Sequence, residues 1–531
     1  MRKLFIISIL AMLVQAMALA QLPGSLDFTF GTFGKSILTL PGFTTEITGL
    51  RMGYDGKLYV CGSSYNFEMG EGFLARYTSD GQPDLSFQGG TSHYIQFKIN
   101  NLDTYLTDLV IRADGRILVV GYVLVSSQPQ PALARFMPDG TPDVSFGFNG
   151  QLVLSQFNAT PTAAVMLDNN RFAVVGDISL MSGRDLIVMR FLSNGELDVS
   201  FATGGYTTID LNNVSEDYGG SISWNYQDGK LLVSGTAEKL GSMTDGVALV
   251  RLNSNGTLDA TFGNNGTAVF DGFETNNSIL INHSARHIRH LDGKIWVTAN
   301  YIGIDKTLGM IVRFLDNGQI DQTFGDYGMR LYEWGDYTTR RFTDLSPQFD
   351  GKVILSGYVG NSGTYSTLFG RLLSNGDPDP AVGNGKGYTI HTFSTGTSLV
   401  DRAYRILYQS LEKAVMAGTV LTTDGFCGIL SRYYLGTTVG MPENENASGL
   451  QARITFRRLL HIRSSVNAVN NSQGSLRLYS VSGTLIAGFS REMAMENEGE
   501  WIFQLPAPLR PGLYLLKWEG PEPEVCKVMV E

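Results

Sequence analysis

Seven carboxylates recur along this chain at nearly even intervals. They are Asp27, Asp84, Asp143, Asp198, Asp259, Asp321 and Asp379, separated by 57, 59, 55, 61, 62 and 58 residues. Each stands three residues after a glycine. Six stand three residues before a phenylalanine (Phe30, Phe87, Phe146, Phe201, Phe262, Phe324), and the seventh before Val382. Repeated aspartates could ligate calcium, a hard cation that takes several oxygens. The spacing, however, gives one carboxylate per unit rather than a cluster. An Asp just past a turn glycine is placed to accept backbone N–H bonds and lock the turn. The aspartates therefore read as structural caps, each with the ~0.5–2 kcal/mol of a capping acceptor, and no metal or cofactor is assigned. His283, His287 and His290, flanked by Arg286 and Arg289, are the other group that could do chemistry. On a helix His283 and His287 would share a face and suggest a metal site. In the repeat register this segment is a strand, which separates them, and no Asp or Glu follows before the turn residue Asp292. No nucleophile elbow, His-Glu-x-x-His or phosphate loop is present, so no catalytic residue is assigned.

The elements that must hold these residues are short strands. Runs of about five residues rich in Val, Ile, Leu, Phe and Tyr are bounded by Gly, Asn, Asp or Pro. Asp-Gly turns at Asp55, Asp114, Asp228, Asp292 and Asp350 lie between apolar runs, the strongest short-range hairpin signal. A third strand recurs from Leu58–Gly62 to Ala414–Gly418. A fourth carries Arg76, Arg135, Arg190, Arg251, Arg313, Arg371 or Arg432, best read as an inter-blade ion pair or a snorkelling stem. Four strands in each of seven units predict an all-β fold: a seven-bladed β-propeller of ~59-residue repeats over residues 21–435. An open solenoid is the alternative, but no capping unit follows Arg432.

The units differ most between their third and fourth strands. Tyr65, Phe67, Tyr301, Tyr358 and Tyr365 fall in these variable stretches, read as loops, and are the candidate binding residues. Such aromatics suit stacking on a sugar ring or packing against a protein.

The ends of the chain address it elsewhere. Arg2 and Lys3, the apolar run Leu4–Val14, and Ala18-Leu19-Ala20 before Gln21 make residues 1–20 a secretory signal peptide cleaved between Ala20 and Gln21. No later run approaches the ~20 apolar residues of a spanning helix, so no integral span is expected in the mature chain. A net charge of −10 with no clustered basic face argues against a nucleic-acid partner. Three cysteines, Cys61, Cys427 and Cys526, cannot build a disulfide framework. Composition shifts after Tyr434: no Asp occurs from Gly425 onward, and residues 451–531 hold 9 Lys and Arg against 8 Glu. Residues 436–450 read as a linker, and 451–531 as a small C-terminal β-sandwich.

The Asp-x-x-Phe-Gly-x-x-Gly units with Asp-Gly-Lys-(Ile/Leu)-x-Val-x-Gly strands resemble the delta-60 repeat family, secreted bacterial repeats expected to form β-propellers. The C-terminal segment resembles the type IX secretion sorting domain. That likeness rests on Leu476–Gly483 (ending in Gly483), on Pro511, Gly512 and Tyr514 within Pro511–Leu516, and on Lys527 in the terminal Lys527–Val530. The resemblance implies passage through the periplasm to the outer surface or medium by the type IX secretion machinery. The expected function is a secreted or cell-surface binding module for a glycan or protein. An extracellular hydrolase or lyase acting on polysaccharide and a structural surface-layer component are the alternatives. Asp, Glu, His or Tyr converging on the axis would favour the enzyme; repeat-equivalent lining would favour binding or scaffold.

Overall fold

In the computed structural model, described residues run from 22 to 530. Residues 41–43, 54, 67–68, 113, 212–215, 226–227, 239–244, 272–278, 281–284, 290–292, 349, 396–397, 411, 437–449, 456–458, 465–474, 481–484, 490–494, 498–499, 505–511 and 520–523 are not described. The cleavage pair Ala20/Gln21, Phe67, His283, His290, Gly483 and Pro511 therefore lie outside the described residues. The chain forms two compact units. One runs to Tyr434 except for Gln348–Asp350 and Tyr408–Ala414, which group with the other, Leu435–Glu531.

The first unit contains five four-stranded antiparallel sheets and one nine-stranded sheet that holds the strands of blades 5 and 6. Blade 1 is Thr44–Met52, Leu58–Tyr65, Gly70–Tyr77 and Tyr94–Phe97. Blades 2, 3, 4 and 6 repeat it, and blade 5 has its inner strand in two pieces, Ile279–Leu280 and His287–Arg289. Blades 5 and 6 are joined by a single parallel bridge, Thr307 to Thr339. Blade 7 takes three strands, Asp401–Ser410, Lys413–Thr422 and Gly425–Tyr434, from the end of the unit and its outer strand, Lys35–Leu38, from the beginning. Lys35 to Leu38 pair with Ser431 to Gly428, so the two ends of the unit are stitched into one sheet. This is the expected β-propeller, and its strand order is consistent with seven blades.

Each repeat closes on one clamp. The pattern Asp is buried, and its Oδ2 sits 2.6 to 2.9 Å from the Nε of the repeated arginine in all seven repeats. That arginine, expected on a fourth strand, is placed on the third strand of the blade. Its Oδ1 accepts the N–H of the residue two ahead, as in Thr261 N to Asp259 at 3.1 Å and Ser145 N to Asp143 at 3.1 Å. In six repeats the guanidinium lies flat over the pattern Phe, 4.3 to 4.8 Å from its centroid. An Nη1 then reaches the next blade: Arg76 to Pro138 O at 2.6 Å, Arg251 to Asp316 O at 2.8 Å and, across the ring closure, Arg432 to Ser79 O at 2.8 Å. The ion pair with the pattern Asp is thus internal to the blade, and the arginine's bond to the next blade goes to a carbonyl. At the ring closure Arg432 adds an inter-blade ion pair with Asp80 at 3.0 Å. A second cation from the hairpin after the inner strand completes the clamp: Lys57, Arg116, Arg171, Lys230, Lys294 and Lys352 lie 2.7 to 3.5 Å from Asp84, Asp143, Asp198, Asp259, Asp321 and Asp379.

The pattern glycine explains itself in the next repeat. Gly140 has φ +86°, and a Cβ there would sit 2.6 Å from the ring of Phe87 in the preceding repeat. Gly24 plays this part against Val382, with a Cβ–Cγ1 separation of 2.7 Å, which brings the first repeat onto the last.

The core lies between blades, as one cluster between blades 2 and 3 shows: Leu118, Val120 and Phe146 pack with Phe172, Val174 and Phe191. Cys61 and Cys427 are buried free thiols, and burial pushes the Cys61 pKa up. His287 is also buried. It stands opposite Val297, the register at which other blades place Leu50, Leu109 or Leu345. Its Nδ1 lies 2.8 Å from Ser221 Oγ and 3.0 Å from Ser234 Oγ, and its Nε2 2.7 Å from Ser223 Oγ, all in blade 4. It ties two blades together. Among the described residues no helix is long and apolar enough to cross a membrane.

The second unit holds two four-stranded sheets. One orders Leu450–Thr455, Leu459–Ser464, Glu500–Gln504 and Met495–Asn497; the other Leu485–Phe489, Ser475–Ser480, Gly512–Glu519 and Glu524–Val530. Leu476, Leu478, Ala487, Phe489 and Leu516 are buried, giving the expected small β-sandwich a core.

Two outcomes follow. Asp259→Ala leaves Arg251 and Lys230 without their carboxylate and should cost about 3 kcal/mol, above the value for a cap alone, because breaking a mostly buried pair leaves charge uncompensated. Asp259→Asn, which keeps the acceptor for Thr261, should lose less; urea denaturation of both variants checks the order. For His287, burial and then the nearby Arg286 hold the folded-state pKa at about 3, below its ordinary 6.5. The unfolded chain therefore binds the extra proton between these values, and stability falls as pH drops through that window. Relative to His287→Leu, the native chain should lose about 2 kcal/mol between pH 6.5 and pH 5. Parallel pH curves for the two proteins would show no such difference in unfolding free energy.

Candidate functional site

The inner strands surround the propeller axis, and their bulges set what faces it. Register shifts fall at Ile47/Gly49, Leu106/Asp108, Pro161/Ala163, Gly219/Ser221 and Phe342/Asp344, always opposite the glycine that ends the third-strand motif. In blades 1 and 6 the extra residue bonds onward to the next blade: Thr48 Oγ1 donates to Leu106 O at 2.7 Å, and Thr343 Oγ1 to Ala403 O at 2.8 Å. Thr107 and Thr162 instead donate within their own blades, to Val120 O and Val175 O, each at 3.3 Å. The following residue reaches the next blade where it is acidic. Asp108 accepts from Leu109 N at 2.9 Å, from Ala164 N of blade 3 at 3.2 Å, and from Arg51 at 2.8 Å. Asp344 accepts from Leu345 N at 3.0 Å and Ile406 N of blade 7 at 3.1 Å. Both carboxylates near the axis are thus held by backbone of their own and the neighbouring blade, at repeat-equivalent positions.

One end of the channel is built differently. Between blades 7 and 1 lies a cavity of about 140 Å³ lined by Thr44, Glu46, Tyr65, Val400, Arg402, Tyr404, Thr419 and Phe426. The Arg402 guanidinium lies 4.9 Å from the Tyr365 centroid and 5.6 Å from that of Tyr358, and the two rings meet edge to face at 5.3 Å. Tyr105 and Tyr122 of blade 2 stack at 5.2 Å. The group is electrostatically coupled. Burial, then Glu46, push the Tyr404 hydroxyl up. The same two causes raise Tyr65, while Arg402 pulls both back. Burial raises Tyr122, followed by Tyr105, Glu46 and Asp177. Asp177 of blade 3 is itself pushed up to about 6 by burial, against the pull of Arg184 at 2.8 Å, so it changes charge near that pH. The mouth therefore offers aromatic rings from blades 6, 7, 1 and 2, with one carboxylate and one guanidinium at the cavity.

Of the aromatics expected to bind, Tyr65 lines this cavity, and Tyr358 and Tyr365 carry Arg402 beside it. Tyr301 does not join them. It lies within the strand Ile295–Ile302 and packs against the core shared by blades 4 and 5. The loop assignment is corrected for all four described residues, because the hairpins run longer than the third-strand motif. Tyr65 ends the strand Leu58–Tyr65, while Tyr358 and Tyr365 sit in Val353–Asn361 and Thr364–Leu372. Glu46, Arg402, Tyr404, Tyr105 and Tyr122 were not singled out in the sequence. Four of them are on inner strands, and the signal that finds them is the register just before or at the bulge, where each blade differs. Elsewhere, Asp185, Asp210 and Asp217 bring carboxylate oxygens within 4.8 Å of one another. Among the described residues the seven pattern aspartates are not in that group; each sits in its own clamp.

The profile of a domain of unknown function (DUF5122) β-propeller matches residues 55–87, 112–146, 169–201 and 227–262. Each matched segment ends on a pattern Phe, so the family repeat spans the hairpin turn, the blade's second and third strands and the clamp. No curated protein matches the chain. Among solved structures, the polysaccharide lyase Uly1 is similar at 8% identity and a TM-score of 0.43, covering 77% of this chain and 92% of its own. Drosophila Semaphorin 2a is similar at 9% identity and a TM-score of 0.43, covering 96% and 99%. The β-propeller domain of the Trilobed protease from Pyrococcus furiosus is similar at 10% identity and a TM-score of 0.38, covering 75% and 97%. Together with seven clamped repeats, the four matched segments identify the chain as a β-propeller repeat protein.

Proposed function

We propose that this protein is an exported binding module that holds a saccharide residue at the tyrosine-rich mouth of its propeller. The observation that carries this reading is the pairing of Arg402, stacked on Tyr358 and Tyr365, with Glu46, Tyr65 and Tyr404 around one small cavity. Tyrosine presents an apolar face for a sugar ring and a hydroxyl for hydrogen bonding. A carboxylate accepts from adjacent sugar hydroxyls, and a guanidinium donates to them in a fixed fork. A hydrolase or lyase would need a group on the axis free to move a proton. Asp108 and Asp344 are instead bonded to backbone N–H groups, which favours binding.

A glycan array with the mature chain should give saccharide hits. Tyr65→Ala and Glu46→Gln should each weaken the best hit about tenfold, close to 1.4 kcal/mol, without lowering the melting temperature. An empty array, or hits indifferent to both substitutions, overturns the reading; released oligosaccharide products would replace it with the enzyme.

Export rests on the signal peptide and on the likeness of residues 451–531 to a type IX sorting domain, which we propose addresses the propeller to the cell surface or medium. Deleting 451–531 should leave a cooperatively melting propeller that accumulates in the periplasm of its host. Normal surface delivery of the truncated chain, measured by fractionation, would refute the sorting role.

A further inference from the structure

Blade 7 places an arginine where other blades carry Gly49, Asp108, Ala163, Ser221 or Asp344. Arg405 reaches past blade 1, its Nη2 donating to Thr107 O of blade 2 at 3.3 Å. Its Nη1 donates to Tyr404 O at 3.0 Å, and among the described residues its buried Nε has no hydrogen-bond partner. A guanidinium has five N–H donors, so most of this fork is unused. Within electrostatic range lie Arg286 of blade 5, Asp344 of blade 6, Asp108 of blade 2 and Arg51 of blade 1. Burial first, then Arg286, pull the Arg405 pKa down to about 10; Asp344 and Asp108 oppose, and Arg51 adds to the depression.

Arg286 arises from an irregularity. His287 faces Val297, and Thr298 N donates to Arg286 O at 2.8 Å, which leaves one residue where other blades have a two-residue bulge. The two-residue bulge, which carries a threonine in blades 1, 2, 3 and 6, is replaced here by a single cation. Neither Arg286 nor Arg405 forms a salt bridge among the described residues. The two carboxylates in range are already bonded, Asp108 to Arg51 and two backbone N–H groups, Asp344 to two more. Both residues are partly exposed. A partly desolvated guanidinium without a close counter-ion is destabilised, and its unused donors match the planar oxygens of a carboxylate.

We propose that the propeller axis is an oxyanion site, in which the carboxylate of an acidic saccharide is received between Arg405 and Arg286. The inference rests on reading the mouth as a saccharide site, and Tyr404, which lines that cavity, is the residue before Arg405. A uronic acid is the sugar class that presents a ring to the tyrosines and a carboxylate to the arginines.

Calorimetric titration of the mature full chain with D-glucuronate, D-glucose and an oligoglutamate peptide tests it. Glucuronate should bind at least tenfold more tightly than glucose. Arg405→Gln and Arg286→Gln should each erase that preference while leaving glucose affinity unchanged. Should Arg405→Gln fail to melt cooperatively, Arg286→Gln, at a partly exposed residue, decides alone. Equal binding of the two sugars, or a preference that survives Arg286→Gln, overturns the oxyanion site and leaves the mouth reading intact. Arginine-dependent binding of the peptide with neither sugar bound overturns both.

Discussion

A buried carboxylate that faces two cations and a backbone N–H is the interaction on which this propeller depends. Burial alone would raise the pKa of Asp259. Bonds from Lys230, Thr261 and Arg251 more than reverse that and hold it below the usual carboxylate range, and Asp27, Asp84 and Asp321 show the same balance. The clamp fixes the turn before the outer strand, lays the arginine on the pattern Phe, and points its remaining donor at the next blade. One motif thus sets both the shape of a blade and its spacing from its neighbour. As these carboxylates are all depressed, their contribution is present above pH 4 and is lost as pH falls toward their folded values.

Much of this was legible in the sequence because it is periodic. Gly-x-x-Asp-x-x-Phe and the repeated arginine announce a blade each time they occur, and the glycine spacing yields the strand order. The second cation was equally periodic, since Lys57, Arg116, Arg171, Lys230, Lys294 and Lys352 follow their turns at one register. What joins it to the Asp is a contact across about 27 residues, which no local pattern displays. Hairpin length was hidden as well. Ser126 and Ser127 both take positive φ, 49° and 65°, to make a tight turn from residues that carry little turn signal. The strands flanking such turns therefore outrun the motif, and Tyr358 and Tyr365 move from expected loop to strand.

The site was the least legible part, for a physical reason. The mouth and axis are made of residues that occupy the same register yet differ from blade to blade, so they carry no repeat. Their neighbours lie far apart in sequence: Arg405 reaches Thr107 across 298 residues, and Asp344 holds Ile406 across 62. The ring brings blades 6, 7, 1 and 2 together only because blade 7 sits between the two ends of the unit. A seven-fold scaffold thereby gains one side unlike the others, with tyrosines and Arg402 at the mouth and Arg405 below.

The closing strand carries a consequence for the order of events in assembly. Lys35–Leu38 pairs with residues almost 400 positions later, and Arg432 bonds Asp27 across 405. A chain that crosses a membrane from its N-terminus delivers this strand first, yet its partner emerges last. Until then the leading segment has no sheet edge to join and blade 7 lacks its outer strand. Loop-closure entropy for so long a span grows only logarithmically with length, so the delay is one of timing more than of free energy. In a chain delivered in that order the ring would stay open until its last strands emerged, and its final step would be the return of the oldest residues to the newest.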